Sequence, residues 1–564
     1  MAPAPGHLTP LSKRQKAEKL RAMLVAEYTN GWRDHHRDIA KYIQPRRPRF
    51  LVSDAKSAGT KKNDSILNNV ATEASDTLRA GLMSGITSPA RPWFRLTTHD
   101  PALNEQGAVK EWLHEAEQRT QSVIAKSNFY LRVEELYGDL GDFGTGTLHI
   151  EADPEEFIRC FVFPVGSYVL SSSDRLTVDT IFRDVPMTVS QLVKKFGYEK
   201  CCLQVRLAWD HGNIYQSFDV VHFIMPNEEF ADGALGQKGK KWVSNWYEAS
   251  RQDDEGFLHE AGYDYFPVMA PRWKVTGTDT YGSSPGMNAL PDVKGLQHLE
   301  EQAMGIVDKT VNPPLNVPAL MRGQQASLVP GAENPVGMQG AVITPAMTIH
   351  PQALQHVQLK IQEHVGRIKT SYHADLFRLL EQYDSGKMTA YEVAQRIQEK
   401  MQQLGPAYER LEEELLDPAL DAILHLCFEA FLFPPVPEEL AGAEIRVEYT
   451  SIIAQAQKAS GTGALRELLQ LVGNLAAVDA DIIDLIDFDR AVREYANMLG
   501  LPPKVLREPD AVEAIRQAKA KMAAQQQAQA QAGQLAAGAK VLSETDTEGK
   551  NALTDILGPT GRVP

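Results

Sequence analysis

Several places in the 564-residue chain carry side chains of the types that do chemistry. Gly282-Ser283-Ser284-Pro285-Gly286 has the G-x-S-x-G spacing of a nucleophile elbow. An elbow needs the backbone N–H after its serine to hold an oxyanion, and Pro285 has none. Pro285 instead suits an early helical position, with Ser284 as the cap. Gly236-Gln-Lys-Gly-Lys-Lys241 is the nearest string to a phosphate loop, but it lacks the upstream glycine and the closing Ser or Thr. Gly141, Gly144 and Gly146 miss the dinucleotide spacing and predict a turn between a helix and a strand. His35-His36, flanked by Asp34 and Asp38, leave a helix in directions about 100° apart, and no second cluster completes a metal site. A solvated helix face is expected there. Glu412-Glu413-Glu414 also reads as a solvated face, and Cys201-Cys202 as an inert pair on a strand entering a core. No acid, base or nucleophile assembles. The chain reads as a non-enzyme without metal or cofactor.

The totals bound the rest. At 564 residues, three or four domains are expected, and 43% hydrophobic residues suffice for real cores. A net charge of -15 argues against tight nucleic-acid binding, which needs clustered Lys and Arg to release counterions. It leaves room for looser handling of DNA, since an acidic wall would repel phosphates and let a duplex slide. Cys160, Cys201, Cys202 and Cys427 have neither zinc spacing nor a disulfide framework, which fits a reducing compartment. No apolar run approaches membrane-spanning length, and the polar start MAPAPGHLTPLSKRQK does not read as a signal peptide. A soluble, intracellular product is expected.

The positioning elements follow from periodicity. Ser12-x-x-Gln15 predicts a capping box opening a helix with Leu20, Leu24 and Tyr28 on its apolar side. Ile66, Val70, Ala74, Leu78, Leu82 and Ile86 predict a helix from near Ser65, stopped by Pro89 and Pro92. Trp93-Phe94-Arg95-Leu96 then leaves as an extended segment with two aromatics to bury. Residues 109–137 read as strongly helical. Strand periodicity runs through 147–226, including 205–208, with one short helix at 188–196, and more strands are expected over 241–274. Residues 285–312 predict one helix with Pro291 near its start; 313–351, with seven prolines and four glycines, predict a turn-rich element; a second helix starts near Gln352. A capped helix at Thr389, helices to Phe433, a strand at 444–450 and helices over 452–499 follow. The Ala/Gln-rich stretch from about Ala511 predicts a helical extension fraying into a disordered tail. The expected fold class is α+β, predominantly α.

Six strings, in order, resemble one family. LRAGLMSGITSPARPWFRL at 78–96 resembles the signature of the portal (head-to-tail connector) proteins of short-tailed, podovirus-type phages. GDFGTGTLHIE (141–151), DVPMTVSQLVKKFG (184–197), YGSSPGMNALPDVKGLQHLEEQ (281–302), NPPLNVP (312–318) and MTAYEVAQR (388–396) extend the likeness. It spans about residues 10 to 500.

The resemblance implies a ring-forming subunit, twelve to a ring, at one vertex of the virion capsid, assembled in the host cytoplasm. Its expected parts are an α+β wing (1–283), a first stem helix (284–312), a clip (313–351), a second stem helix (352–374), a channel loop (375–390), wing and crown helices with one strand (391–505), and an Ala/Gln-rich extension and tail (506–564). Implied partners are double-stranded DNA in the channel, the large terminase, tail adaptor and nozzle proteins, and major capsid and scaffolding proteins, with no membrane. No family motif assigns DNA contacts. The stem cations Lys294, Lys309, Lys360, Arg367 and Lys369, with Arg378 and Lys387 near the loop, are the channel candidates from this sequence; salt bridges between subunits are the plainer account of each. Leu315, Arg322, Gln324, Gln325 and Asn334 are the clip docking candidates. A tail adaptor or internal scaffold, and a DNA-processing enzyme, are the competing readings.

Overall fold

The computed structural model describes two compact units. The first comprises residues 12–45, 47, 49, 63–104, 106–249, 256–316, 344–345, 350–374, 404–440 and 442–450; the second comprises 468, 470–472, 474, 487–498 and 509–543.

In the first unit, α1 (Lys13–Gly31) opens with the expected capping box, Ser12 and Gln15 each bonding the other's backbone. It is followed by α2 (Arg33–Tyr42), α3 (Val70–Gly85), β1 (Phe94–Thr98), α4 (Gly107–Lys126) and α5 (Phe129–Phe143). Strands β2 (Leu148–Asp153) and β3 (Phe157–Val162) form an antiparallel hairpin, which β9 (Val268–Met269) extends. Between them in sequence, β4 (Tyr168–Ser172), β5 (Val178–Thr188), β6 (Ser217–Pro226), β7 (Trp242–Glu248) and β8 (His259–Tyr263) form a five-stranded antiparallel meander. Helices α6 (Val189–Phe196) and α7 (Leu203–Asp210) lie in the connection from β5 to β6. After the meander come α8 (Pro285–Val311), the short pair β10 (Leu315–Asn316) and β11 (Thr344–Pro345), α9 (Pro351–Ser371), α10 (Asp417–Glu429) and β12 (Ile445–Tyr449).

The largest core joins α3, α4, α5, α10 and the near ends of α8 and α9 to the β2–β3 hairpin. Trp93 and Phe94 are buried in it, as their position after two prolines requires. They are held by a long-range pairing: β1 runs antiparallel to β12, with Phe94 opposite Tyr449, and Trp93 stacks on Tyr449. A second core lies between α1 and the meander, and a third is built by α6 and α7 against Val220 and Trp246. In the second unit, helices run over Phe488–Met498 and Pro509–Ser543, and the latter is about 50 Å long at 1.5 Å per residue. Its Ala/Gln repeat gives it no apolar stripe.

Several elements differ from the sequence expectation. The helix expected from Ser65 begins at Val70, because the N–H groups of Leu67 and Asn68 donate to the side-chain oxygen of Gln297 instead of a helical ladder. The helical stretch over 109–137 is two helices. Asn128 breaks it by bonding both backbone groups of Cys160. Residues 205–208 belong to a helix, not a strand; Val205 and Ala208 are buried three apart while Leu203 and Leu207 face outward. Cys201 and Cys202 are buried in the turn before it. Pro291 interrupts nothing, since α8 runs through it in one piece. His36 is fully buried rather than solvated, its Nδ1 paired with the Tyr28 hydroxyl at 3.0 Å, and burial drives it down to about 3, so it stays neutral. Glu414 is not on a solvated face either: it grips the buried Arg272 guanidinium at 2.6 Å and accepts the Arg272 backbone N–H at 2.9 Å. It sits in a single π-helical turn, Glu412–Leu416, which rotates it inward.

The turn after α5 is closed by Gly144, at φ +78°, where a Cβ would lie 2.2 Å from the Gly282 carbonyl oxygen. Gly144→Ala therefore combines left-handed backbone strain with a backbone clash. It is expected to cost about 2 kcal/mol or more, read as a lower midpoint in denaturant unfolding.

Candidate functional site

Two of the sequence motifs that looked capable of chemistry pack directly against each other. Ser284 caps α8: its hydroxyl accepts the Met287 N–H at 2.9 Å and donates to the Asp142 carbonyl at 2.6 Å. The Thr145 hydroxyl accepts the Gly282 N–H, and the Trp273 N–H donates to the Gly144 carbonyl. Gly286 lies so close that a Cβ there would meet the Asp142 oxygen at 2.6 Å. Gly144, Gly282 and Gly286 are thus contact surfaces between two backbones, whereas Gly141 and Gly146 make room for the side chains of Leu78 and Leu136.

At the centre is Asp142, fully buried at the end of α5. Its carboxylate accepts the Ser75 hydroxyl from α3 at 2.8 Å and the Tyr372 hydroxyl, one residue past α9, at 2.8 Å. Burial pushes its pKa up to about 7 against those two hydrogen bonds. One turn earlier, Asp139 is buried and held bidentately by Arg47 at 2.6 and 2.7 Å.

This knot anchors a helical hairpin. Residue 286 faces 372 and residue 295 faces 364, so α8 and α9 run antiparallel. The pairing continues outward into β10 and β11, where Leu315 lies opposite Pro345. Near the knot the hairpin is buried through Met287, Leu290, Val293, Leu296, Ile368 and Tyr372; farther out, Met304, Val307, Val311 and Leu359 are exposed. Gln297 ties the middle of α8 to the turn-rich segment before α3.

The cations fall into two sets. Lys294 pairs with Asp38 of α2 at 2.6 Å and lies over the Tyr42 ring. Lys360 pairs with Glu363 at 2.8 Å; Arg367 pairs with the same Glu363 and, at 3.6 Å, with Asp292. Lys309, exposed in the last turn of α8, and Lys369, half-buried in the last turn of α9, have no ion pair among the described residues. Arg378 and Lys387 lie outside the described residues, as do Arg322, Gln324, Gln325 and Asn334; of Leu315 the backbone alone is described. Sequence reasoning missed Asp142, Tyr372 and the Arg272–Glu414 pair. The one available signal for Asp142 was a charged residue between Gly141 and Phe143 at an otherwise apolar helix end.

Asp142 sets a pH dependence. Its folded pKa, about 7, exceeds the unfolded value of about 3.9, so the folded state holds the extra proton between these values and stability falls as pH rises through that window. The full span corresponds to at most about 4 kcal/mol. Asp142→Asn is expected to flatten this slope in unfolding measured from pH 4 to 8, while Tyr372→Phe destabilises at every pH.

The comparisons with known proteins agree over nearly the whole chain. The family described as bacteriophage head to tail connecting protein matches residues 14–506. The chain is 36% identical over 555 residues to the portal protein of Salmonella phage epsilon15, covering 98% of this chain and 99% of that one. It is 37% identical over 532 residues to the probable portal protein of Bordetella phage BPP-1, covering 93% and 95%. Among solved structures, a chain from the neck of an empty gene transfer agent particle is similar at a TM-score of 0.33 and 13% identity, over 81% of this chain and 95% of that one. The chain belongs to the bacteriophage head-to-tail connecting protein family.

Proposed function

We propose that this chain is a portal subunit, one of twelve in a ring at a single capsid vertex through which the genome is packaged and ejected. The observation that carries this reading is the match to two portal proteins at 36% and 37% identity over nearly full length. In this assignment α8 and α9 are the stem helices, residues 313–351 the clip, 375–390 the channel loop, the segment before 284 the wing, and 391–505 wing and crown. The exposed Met304, Val307, Val311 and Leu359 of the hairpin then meet the stems of neighbouring subunits.

The role is mechanical and electrostatic rather than catalytic. Ser284, the candidate nucleophile, is committed to a helix cap and a backbone carbonyl. Force for packaging comes from a large terminase on the clip, a face later taken by tail adaptor and nozzle proteins; capsid and scaffolding proteins meet the wing. Among the channel candidates, Lys309 and Lys369 are the better phosphate contacts, because Lys294, Lys360 and Arg367 already face carboxylates of their own chain. Sparse cations on an acidic wall guide a duplex without arresting it.

Electron microscopy of the purified protein is expected to show rings of about twelve subunits around a hole that admits a duplex. A chain that stays monomeric at high concentration and with the other head proteins present would overturn the assignment. Lys309→Glu with Lys369→Glu is expected to lower the yield of DNA-filled heads several-fold while rings still form, whereas Lys360→Glu alone has a smaller effect; packaging unchanged in the double variant would remove both lysines from the channel.

A further inference from the structure

A groove of about 510 Å³ lies between α1, the start of α2 and the β4–β5 edge of the meander, and no part of the portal reading uses it. Four of its lining residues are arginines, Arg21, Arg33, Arg49 and Arg183, against one carboxylate, Asp184; Arg49 has an interaction of its own, which leaves Arg33 and Arg183 as the cations that bear on a ligand. In a chain of net charge -15, this is a local reversal of sign. Arg21 already holds Asp184 bidentately, at 2.7 and 2.8 Å, which neutralises the one acid present. Arg183 lies with its guanidinium 4.1 Å from the centre of the Phe163 ring and donates to His222 Nδ1 at 2.8 Å; it has no ion pair among the described residues. Arg33 has none among them either. Between the cations the walls are apolar, formed by Val25, Phe163 and Val169 among others.

We propose that this groove is a docking socket for an acidic polypeptide segment that carries apolar anchor side chains, supplied by another protein of the particle. The mixed lining selects the occupant. A free phosphate-sized anion would satisfy the arginines and leave the apolar walls wet, and a duplex is too wide to enter a cavity of this volume. An extended segment that alternates carboxylates with Leu or Phe satisfies both kinds of wall at once. A guanidinium gives bidentate geometry for a carboxylate, and Arg33 at the start of α2 and Arg183 on β5 are held by regular elements, which preorganises the site.

The test is fluorescence anisotropy on the full-length protein with a labelled dodecapeptide alternating Glu or Asp with Leu or Phe. The expected result is saturable binding at a Kd of about 100 µM or tighter, weakening as salt is raised. A matched peptide with Lys in place of the acids is expected not to compete. Arg33→Glu should weaken binding by about tenfold or more through rim charge, and Val25→Trp should do so by filling the groove. Both variants are checked for an unchanged unfolding midpoint; if either is misfolded, competition between acidic and Lys peptides on the unaltered protein still decides. The proposal is overturned if the acidic peptide does not bind, if the Lys peptide competes equally, or if inorganic phosphate or a short DNA duplex displaces the acidic peptide as effectively as unlabelled peptide does.

Discussion

The structure depends on one buried carboxylate. Asp142 receives hydroxyls from Ser75 and Tyr372 on its side chain and from Ser284 on its backbone carbonyl, so three distant stretches of chain converge on one residue. An ionised carboxylate without partners would be too costly at this depth, and two hydroxyls meet only part of that cost. Burial pushing it up to about 7 is the direct expression of the remainder. The geometry works because the residues around it are small. Gly144, Gly282 and Gly286 let backbones approach within distances that any Cβ would forbid. Replace the glycines and the hydroxyls no longer reach; remove the carboxylate and the hydroxyls of Ser75 and Tyr372 lose the group that joins α3 to the end of α9.

That root explains how a long hairpin can extend beyond the core. Its outer half exposes Met304, Val307 and Val311, whereas its inner third is buried and hydrogen-bonded at the start of α8 and just past the end of α9. Gln297 adds a second fixed point farther along α8. The hairpin is therefore anchored at its root. On the proposed reading this is what a channel wall needs, since a passing duplex loads the stems far from the wing.

Much of the architecture was legible because it follows from local rules. Ser12 and Gln15, Ser284 and Pro285, and the apolar spacing from Leu290 to Leu296 fix helix starts and faces by short-range chemistry. Alternation marked β5 to β7 in the same way. What was illegible is long-range. No property of Glu412-Glu413-Glu414 tells which member turns inward; the buried Arg272, 142 residues earlier, decides it. The start of α3 was misplaced because Gln297, some 230 residues later, captures the N–H groups that would have formed the first turn. The strand at 445–449 and the extended segment beginning at 93 were both readable, but their pairing was not. Of the glycines of GDFGTG read as a turn, Gly144 makes it while Gly141 still belongs to α5, and the tighter requirement on Gly144 comes from a segment almost 140 residues away.

The same distinction applies to charge. Read along the chain, Lys294, Lys360 and Arg367 look like free cations on long helices, available to a phosphate. In the fold each faces a carboxylate of its own subunit. Exposed pairs of this kind contribute at most about 1 kcal/mol to stability, so their main effect is to cancel field rather than to hold structure. A surface whose cations are answered locally offers a passing polyanion little to grip, while an arginine groove with one carboxylate keeps its field. The acidic total of the chain hides this division: Lys294, Lys360 and Arg367 of the hairpin are answered within the chain, Lys309 and Lys369 have no ion pair among the described residues, and arginines outnumber carboxylates in the groove beside α1. On the two proposals, low friction along the stem and recognition at the groove coexist in a single subunit, because pairing within the chain decides where charge remains available.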